Sequence, residues 1–179
     1  DALARALSHL LPTAPRPETP ERLFYLGLAY LSGIDVETDY ARALSLITAA
    51  AERGYGEAIE KLAEMYEHGV GVGRDVRTAV RWQRARHAQR EAALSEKPSV
   101  KDALALVKAR LATGDLLAEE SDFGEARREY FTALSPLDGL PPSDEANALA
   151  ATLYDRIGSI FRKEGSISIA VSYYERALQ

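Results

Sequence analysis

Six arginines crowd one short stretch, at Arg74, Arg77, Arg81, Arg84, Arg86 and Arg90, with Asp75 the one acid among them. A row of this kind attracts anions, so an acidic peptide or a nucleic-acid backbone is the chemistry it would serve. Arg77, Arg81 and Arg84 follow one another at helical spacing and form the candidate anion-binding surface. The stretch lacks the repeated aromatic interleaving that stacks bases. The formal net charge of the chain, −5, adds no general pull toward polyanions. A solvated outer helix face is the plainer reading, and nucleic acid is disfavoured as a partner.

The remaining chemistry-bearing residues converge poorly. His68 and His87 could share a metal only with a third ligand such as Glu64 or Glu67, whereas an imidazole at a helix end more often bonds the last carbonyls. His9 has no partner at ligand spacing. Gly69, Gly71 and Gly73 alternate as in a phosphate loop, but no strand precedes them and no Lys-Ser/Thr follows. Gly158-Ser159 lacks the rest of a nucleophile elbow. The chain has no cysteine, which excludes disulfides, thiolate nucleophiles and cysteine–zinc sites. The expectation is a chain without catalytic residues, metal or cofactor: not an enzyme.

The elements that carry these residues are helices in a repeating frame. Gly69-Val70-Gly71-Val72-Gly73-Arg74-Asp75 has an earlier copy, Gly33-Ile34-Asp35-Val36-Glu37-Thr38-Asp39, 36 residues before it. Leu26 and Leu62, Tyr30 and Tyr66, and Ala43 and Ala79 keep the same offset. A fixed period of this size marks stacked helix–turn–helix units. Glycine at 33 and 69 permits the left-handed turn that ends a helix, and Asp39 and Asp75 stand where the next helix would be capped. Val36 and Val72 are apolar within a polar loop and are expected to tuck between the paired helices.

These features resemble the Sel-one-like repeat over roughly residues 20–90. The first copy carries Leu26, Gly27, Tyr30, Gly33, Val36, Asp39, Ala43 and Gly54. The second carries Leu62, Ala63, Tyr66, Gly69, Gly71, Val72, Asp75, Ala79 and Trp82. Asp35 departs from the family's glycine, and Ala63 is small but not glycine. The resemblance implies helices at about 20–32, 39–53, 56–68 and 75–96. Leu23, Leu26 and Tyr30 face inward on the first; Ala43, Leu44, Ile47 and Ala50 on the second. Ile59, Leu62, Ala63 and Tyr66 do so on the third; Val76, Ala79, Val80 and Trp82 on the fourth.

Around these repeats the chain changes character. Residues 1–11 have helical spacing at Leu3, Ala6, Leu7, Leu10 and Leu11. Four prolines in 12–20 make a connector, and Thr19-Pro20 is a helix start. Lys97-Pro98-Ser99 breaks the pattern again, with Ser99 placed to cap a helix over about 99–120. Residues 99–179 then resemble two tetratricopeptide repeats. Gly114, Leu117, Asp122, Phe123, Ala126, Tyr130 and Ala133 carry the first; Ile157, Gly158, Phe161, Gly165, Ala170, Tyr174 and Ala177 the second. Thr113 stands where that family prefers leucine. Matching positions lie 44 residues apart, the extra length falling in the connector after Leu134 and in a longer first helix.

The expected fold is therefore all-α, an α-α superhelix: a right-handed solenoid of helix–turn–helix repeats. Its parts are an N-terminal helix and connector (1–19), two Sel-one-like units (20–97) and two tetratricopeptide-like units (98–179). With 46% apolar residues the chain can bury a continuous core. The missing closing helix and the start at Asp1 suggest a fragment of a longer protein. The sequence shows no signal peptide and no run of membrane-spanning length, which leaves the compartment open.

By resemblance, first helices line a concave groove, which places Lys108, Leu111, Asp115 and Ala118 beside Thr152, Asp155, Ser159, Arg162 and Lys163. Asp115 and Ser159 replace the asparagines of the chaperone-adaptor carboxylate clamp, so that clamp is not expected. A protein or peptide segment, or another domain of the same chain, is the expected partner. The function read from this is a non-catalytic interaction scaffold. The alternative is a regulatory or sensor segment of a larger signalling protein whose catalytic domain lies elsewhere.

Overall fold

Why the chain folds as it does is first visible at its helix ends. In the computed structural model, which describes residues 18–179, six helices begin at a side chain that replaces a lost backbone partner, Asp75 and Asp122 accepting from Thr78 N at 3.1 Å and Glu125 N at 3.4 Å. Thr19 accepts from Arg22 N at 3.2 Å, Asp39 from Arg42 N at 2.9 Å, Ser99 from Asp102 N at 3.3 Å and Ser143 from Ala146 N at 3.2 Å. Such caps contribute roughly 1 kcal/mol each. The helix expected over 1–11 and most of the proline connector lie outside the described residues.

Among the described residues eight α-helices follow in order. They are α1 (Pro20–Ser32), α2 (Tyr40–Glu52), α3 (Gly56–His68), α4 (Val76–Glu96), α5 (Val100–Glu119), α6 (Phe123–Leu134), α7 (Asp144–Lys163) and α8 (Ile167–Ala177), with a short 3-10 turn at Ser135–Leu137. Among the described residues no other regular structure occurs. The chain divides into two compact units, one ending at Arg86 and one running His87–Gln179.

In the first unit the two loops repeat in detail. Gly33 and Gly69 take φ of 68° and 72°, and Asp35 and Gly71 take 60° and 71°. The amides of Asp39 and Asp75 donate to the Tyr30 and Tyr66 carbonyls at 3.0 and 2.8 Å. Asp35 thus occupies a left-handed position that glycine fills in the second copy, and aspartate is among the few side chains that tolerate it. Helix α1 crosses α2 at Gly27, where a Cβ would stand 2.6 Å from Ile47 Cγ1.

The core of this unit is Leu23, Phe24, Ile47, Ala50, Ala51, Ala58, Ile59, Leu62 and Met65, with Val72 and Trp82 packed against it. Sequence spacing assigned Leu26 and Tyr30 to the inner face. The structure buries Phe24 and Ala29 instead and leaves Leu26 and Tyr30 half-buried. The physical reason is visible at Tyr30, whose ring is covered by the Arg42 guanidinium at 4.6 Å rather than by apolar atoms.

In the second unit α5 pairs with α6 and α7 with α8, and α7 also packs against α5 and α6. Each pair crosses where a tyrosine lies over a glycine. A Cβ on Gly114 would stand 2.3 Å from Tyr130, and one on Gly158 would stand 2.8 Å from Tyr174. Leu106, Val107, Leu153, Ile157, Ala126 and Ala133 fill the core.

This unit also buries a polar network. Arg110 donates to Glu129 at 3.0 Å and to Glu91 at 2.5 Å. Thr113, which breaks the expected leucine pattern, donates to the Ala109 carbonyl and lies 3.0 Å from His87 Nε2. With the hydroxyl proton directed at the carbonyl, the imidazole Nε2–H donates to Thr113 Oγ1, which fixes the His87 tautomer.

Candidate functional site

The sequence-predicted groove residues divide into two sets. Asp115, Ser159, Arg162 and Lys163, together with Ala118, line a single cleft of about 420 Å³ formed by α5, α6 and α7. Glu119, Tyr130, Arg156 and Ile160 complete its walls. Lys108 lies elsewhere on the surface, paired with Glu145 at 2.5 Å. Leu111 is half-buried and outside the cleft. Thr152 turns its hydroxyl back to the Ala148 carbonyl at 2.8 Å, and Asp155 lies 3.4 Å from Arg156.

The organising group of the cleft is the Asp115 carboxylate. Its Oδ1 accepts from Tyr130 at 2.8 Å and from Arg156 Nε at 2.9 Å. Asp115 comes from α5, Tyr130 from α6 and Arg156 from α7, so one carboxylate oxygen ties three helices together at the cleft wall. Burial, and then the Asp115 hydrogen bond and charge, push the Tyr130 hydroxyl above the ordinary tyrosine range. Burial pulls Arg156 down, but the Asp115 charge and hydrogen bond outweigh it and leave Arg156 above its usual value. Both groups therefore hold their protons at neutral pH and act as fixed donors.

Ser159, the 44-residue counterpart of Asp115, repeats the arrangement more loosely: its hydroxyl lies 3.3 Å from the Tyr174 hydroxyl. Arg162 and Lys163 occupy the last turn of α7, where positive charge suits the helix dipole. Lys163 Nζ sits 4.9 Å above the Phe123 ring. The cleft thus offers three cationic side chains, Arg156, Arg162 and Lys163, the acidic Asp115 and Glu119, and the apolar Ala118 and Ile160. That mixture suits an extended peptide with alternating polar and apolar side chains.

Sequence reasoning missed Arg156. The signal was present, since Arg156 precedes Ser159 and Ile160 by one helical turn and shares their face. The tyrosines Tyr25, Tyr30, Tyr66, Tyr154, Tyr173 and Tyr174 are half-buried, while Tyr130 is buried.

The arginine row is less free than its sequence suggests. Arg86 pairs with Glu60 at 2.7 Å, and Arg74 Nε donates to the Glu67 carbonyl at 3.1 Å. That carbonyl bond is the end-capping role expected of His68, whose exposed imidazole lies 4.0 Å from Glu67. Arg77 and Arg81 are exposed and Arg84 half-buried. Among the described residues no three His, Asp or Glu side chains are placed to hold a metal, and no helix is long and apolar enough to cross a membrane.

A model of the Sel1 repeat matches residues 23–55 and 56–82, the two copies of the glycine loop with their flanking helices. These two segments match the Sel1 repeat. Sel1 repeats generally serve as protein-interaction scaffolds and are typically non-catalytic. The crystal structure of a Sel1 repeat protein from Oxalobacter formigenes superposes with a TM-score of 0.54 at 24% identity, covering 98% of this chain and 65% of that one. A protective antigen present in uropathogenic Escherichia coli strains, with an SLR fold, has a TM-score of 0.39 at 19% identity, covering 89% of this chain and 45% of that one. The chain therefore spans less than two thirds of the length of either. No curated protein matches it. The likeness to the first structure places the fold in the all-α, α-α superhelix class of the Sel1 repeat proteins.

Proposed function

We propose that this Sel1 repeat chain is a non-catalytic interaction scaffold that binds a peptide or protein segment in the cleft between α5, α6 and α7. Residues 98–179 act in this reading as a tetratricopeptide-like pair whose first helices present the binding face. The observation that carries the proposal is the Asp115–Tyr130–Arg156 tie, which fixes the cleft wall before any partner arrives. A wall built in advance lowers the ordering cost of binding. Asp115 and Ser159 supply polar contacts, Arg162 and Lys163 take acidic groups on the partner, and Ala118 and Ile160 take its apolar side chains.

The test is a display selection of peptides against the wild-type chain, followed by titration of the recovered sequences. Arg162→Glu/Lys163→Glu is the cleft variant, with both positions exposed so that the helices are retained. Binding at least about tenfold weaker in the variant, or about 1.4 kcal/mol, with an unchanged helical circular dichroism spectrum, supports the proposal. Equal binding by both chains removes the cleft as the site.

A further inference from the structure

We propose that the cleft between α5, α6 and α7 selects a segment that carries a lysine or arginine and an acidic residue two positions apart. Glu119 receives the base, and Arg162 and Lys163 receive the acid. This rests on the cleft being the binding site, and it names the chemistry of what enters.

The repeat supplies the first observation. Glu119 and Lys163 lie 44 residues apart, so they hold the same position in successive first helices with opposite charge. Asp115 and Ser159, and Ala118 and Arg162, keep the same offset. All six residues line the one cleft. Its α5 side is therefore acidic where its α7 side is basic.

The second observation is which of these charges are already matched. Asp115 and Arg156 pair at 2.9 Å and neutralise each other at the wall. Glu119, Arg162 and Lys163 are exposed. Among the described residues none of these three side chains forms an ion pair. Lys163 rests over the Phe123 ring at 4.9 Å instead of reaching an acid. Opposite charges thus border one cleft without closing on each other, which leaves both for a ligand.

The geometry of an extended chain fits this separation. It turns every second side chain to the same face, about 7 Å apart. Packed helices stand about 8–10 Å apart. A base and an acid two positions apart therefore reach from the α5 side to the α7 side. A uniformly acidic segment sets like charge against Glu119, and a uniformly basic one sets it against Arg162 and Lys163. Each mismatch counts against the wrong partner.

The test uses a displayed library of ten-residue peptides in which every position is alanine, leucine, serine, lysine or glutamate. Clones enriched on the wild-type chain are expected to carry lysine and glutamate two positions apart more often than the unselected library. In titrations Glu119→Lys is expected to weaken such a peptide at least about tenfold, and Glu119→Gln to weaken it less. Changing the peptide's lysine to glutamate is expected to restore binding to Glu119→Lys and to weaken binding to wild type. Matching helical spectra establish that the variants fold. Enriched peptides of a single charge sign, or peptides that bind Glu119→Lys as tightly as wild type yet are lost by Arg162→Glu/Lys163→Glu, overturn the charge pairing and leave the cleft as the binding site. Peptides indifferent to both variants, or no enrichment at all, overturn both readings.

Discussion

The Tyr130 ring lies so close to the Gly114 backbone that a Cβ on Gly114 would stand 2.3 Å from Tyr130 Cε1. The neighbouring residue, Asp115, then catches the hydroxyl of the same ring at 2.8 Å. The glycine sets how near α5 and α6 approach, and the carboxylate sets the angle of the ring. Gly158, Ser159 and Tyr174 repeat the device in the next helix pair.

Replacing Gly114 by alanine sets two opposing effects against each other. Helix propensity favours alanine by about 1 kcal/mol. Overpacking against a buried ring costs about 1–3 kcal/mol, and Tyr130 is 1% exposed and has little room to yield. Gly114→Ala is expected to lower stability by about 1–2 kcal/mol in urea titration. Gly124→Ala, with no atom within 4 Å of its Cβ, is expected to raise it by up to about 1 kcal/mol.

Two left-handed residues lack the glycine found at their repeat counterparts. Asp35 has φ 60° where the second loop has Gly71 at 71°, and Ser121 has φ 62° where the later turn has Gly165 at 81°. Ser121→Gly is expected to stabilise the protein by about 0.5–1 kcal/mol, the strain relieved less the added freedom of the unfolded chain. Asp35→Gly should gain less, because aspartate tolerates this conformation better than serine. Thermal unfolding of the two variants ranks them.

Glu91 and Glu129 both receive Arg110, but their surroundings differ. The Glu129 side chain is 4% exposed and that of Glu91 is 44% exposed. Removing the buried partner leaves a guanidinium largely out of water, so Glu129→Ala is expected to cost about 3 kcal/mol. Glu91→Ala removes a pair open to solvent and is expected to cost less than about 1 kcal/mol. A urea midpoint that shifts equally in both would show that burial does not govern this network.

The Thr78 hydroxyl and amide donate to Asp75 at 2.7 and 3.1 Å and hold its carboxyl below the usual carboxylate range. Because the folded value lies below the unfolded one, this stabilisation is complete above about pH 4 and is lost as pH falls through the folded value. Asp75→Asn is expected to flatten that acid-side loss. Thr78→Val is expected to raise the Asp75 titration midpoint, followed by carboxyl-carbon NMR.

Sequence alone determined the helices, their caps and the repeat period. Those features rest on local chemistry: Gly33 and Gly69 must turn left-handed, Asp39 and Asp75 must accept from nearby amides, and Pro20 can only open a helix. Each involves residues within a few positions, so spacing reveals them. Tertiary structure decided the rest. Thr113 looked like a flaw in the leucine pattern until His87 was placed beside it. Arg156 drew no notice until α7 brought it to Asp115, 41 residues away. Arg86 looked unopposed until α3 supplied Glu60. Side-chain pairing between helices depends on rotation about each helix axis, and that rotation is set by which small residue lies at the crossing. Gly27, Gly114 and Gly158 are readable in the sequence as glycines. That Ile47, Tyr130 and Tyr174 lie against them is a consequence of packing, and the Asp115–Tyr130–Arg156 wall of the cleft follows from it.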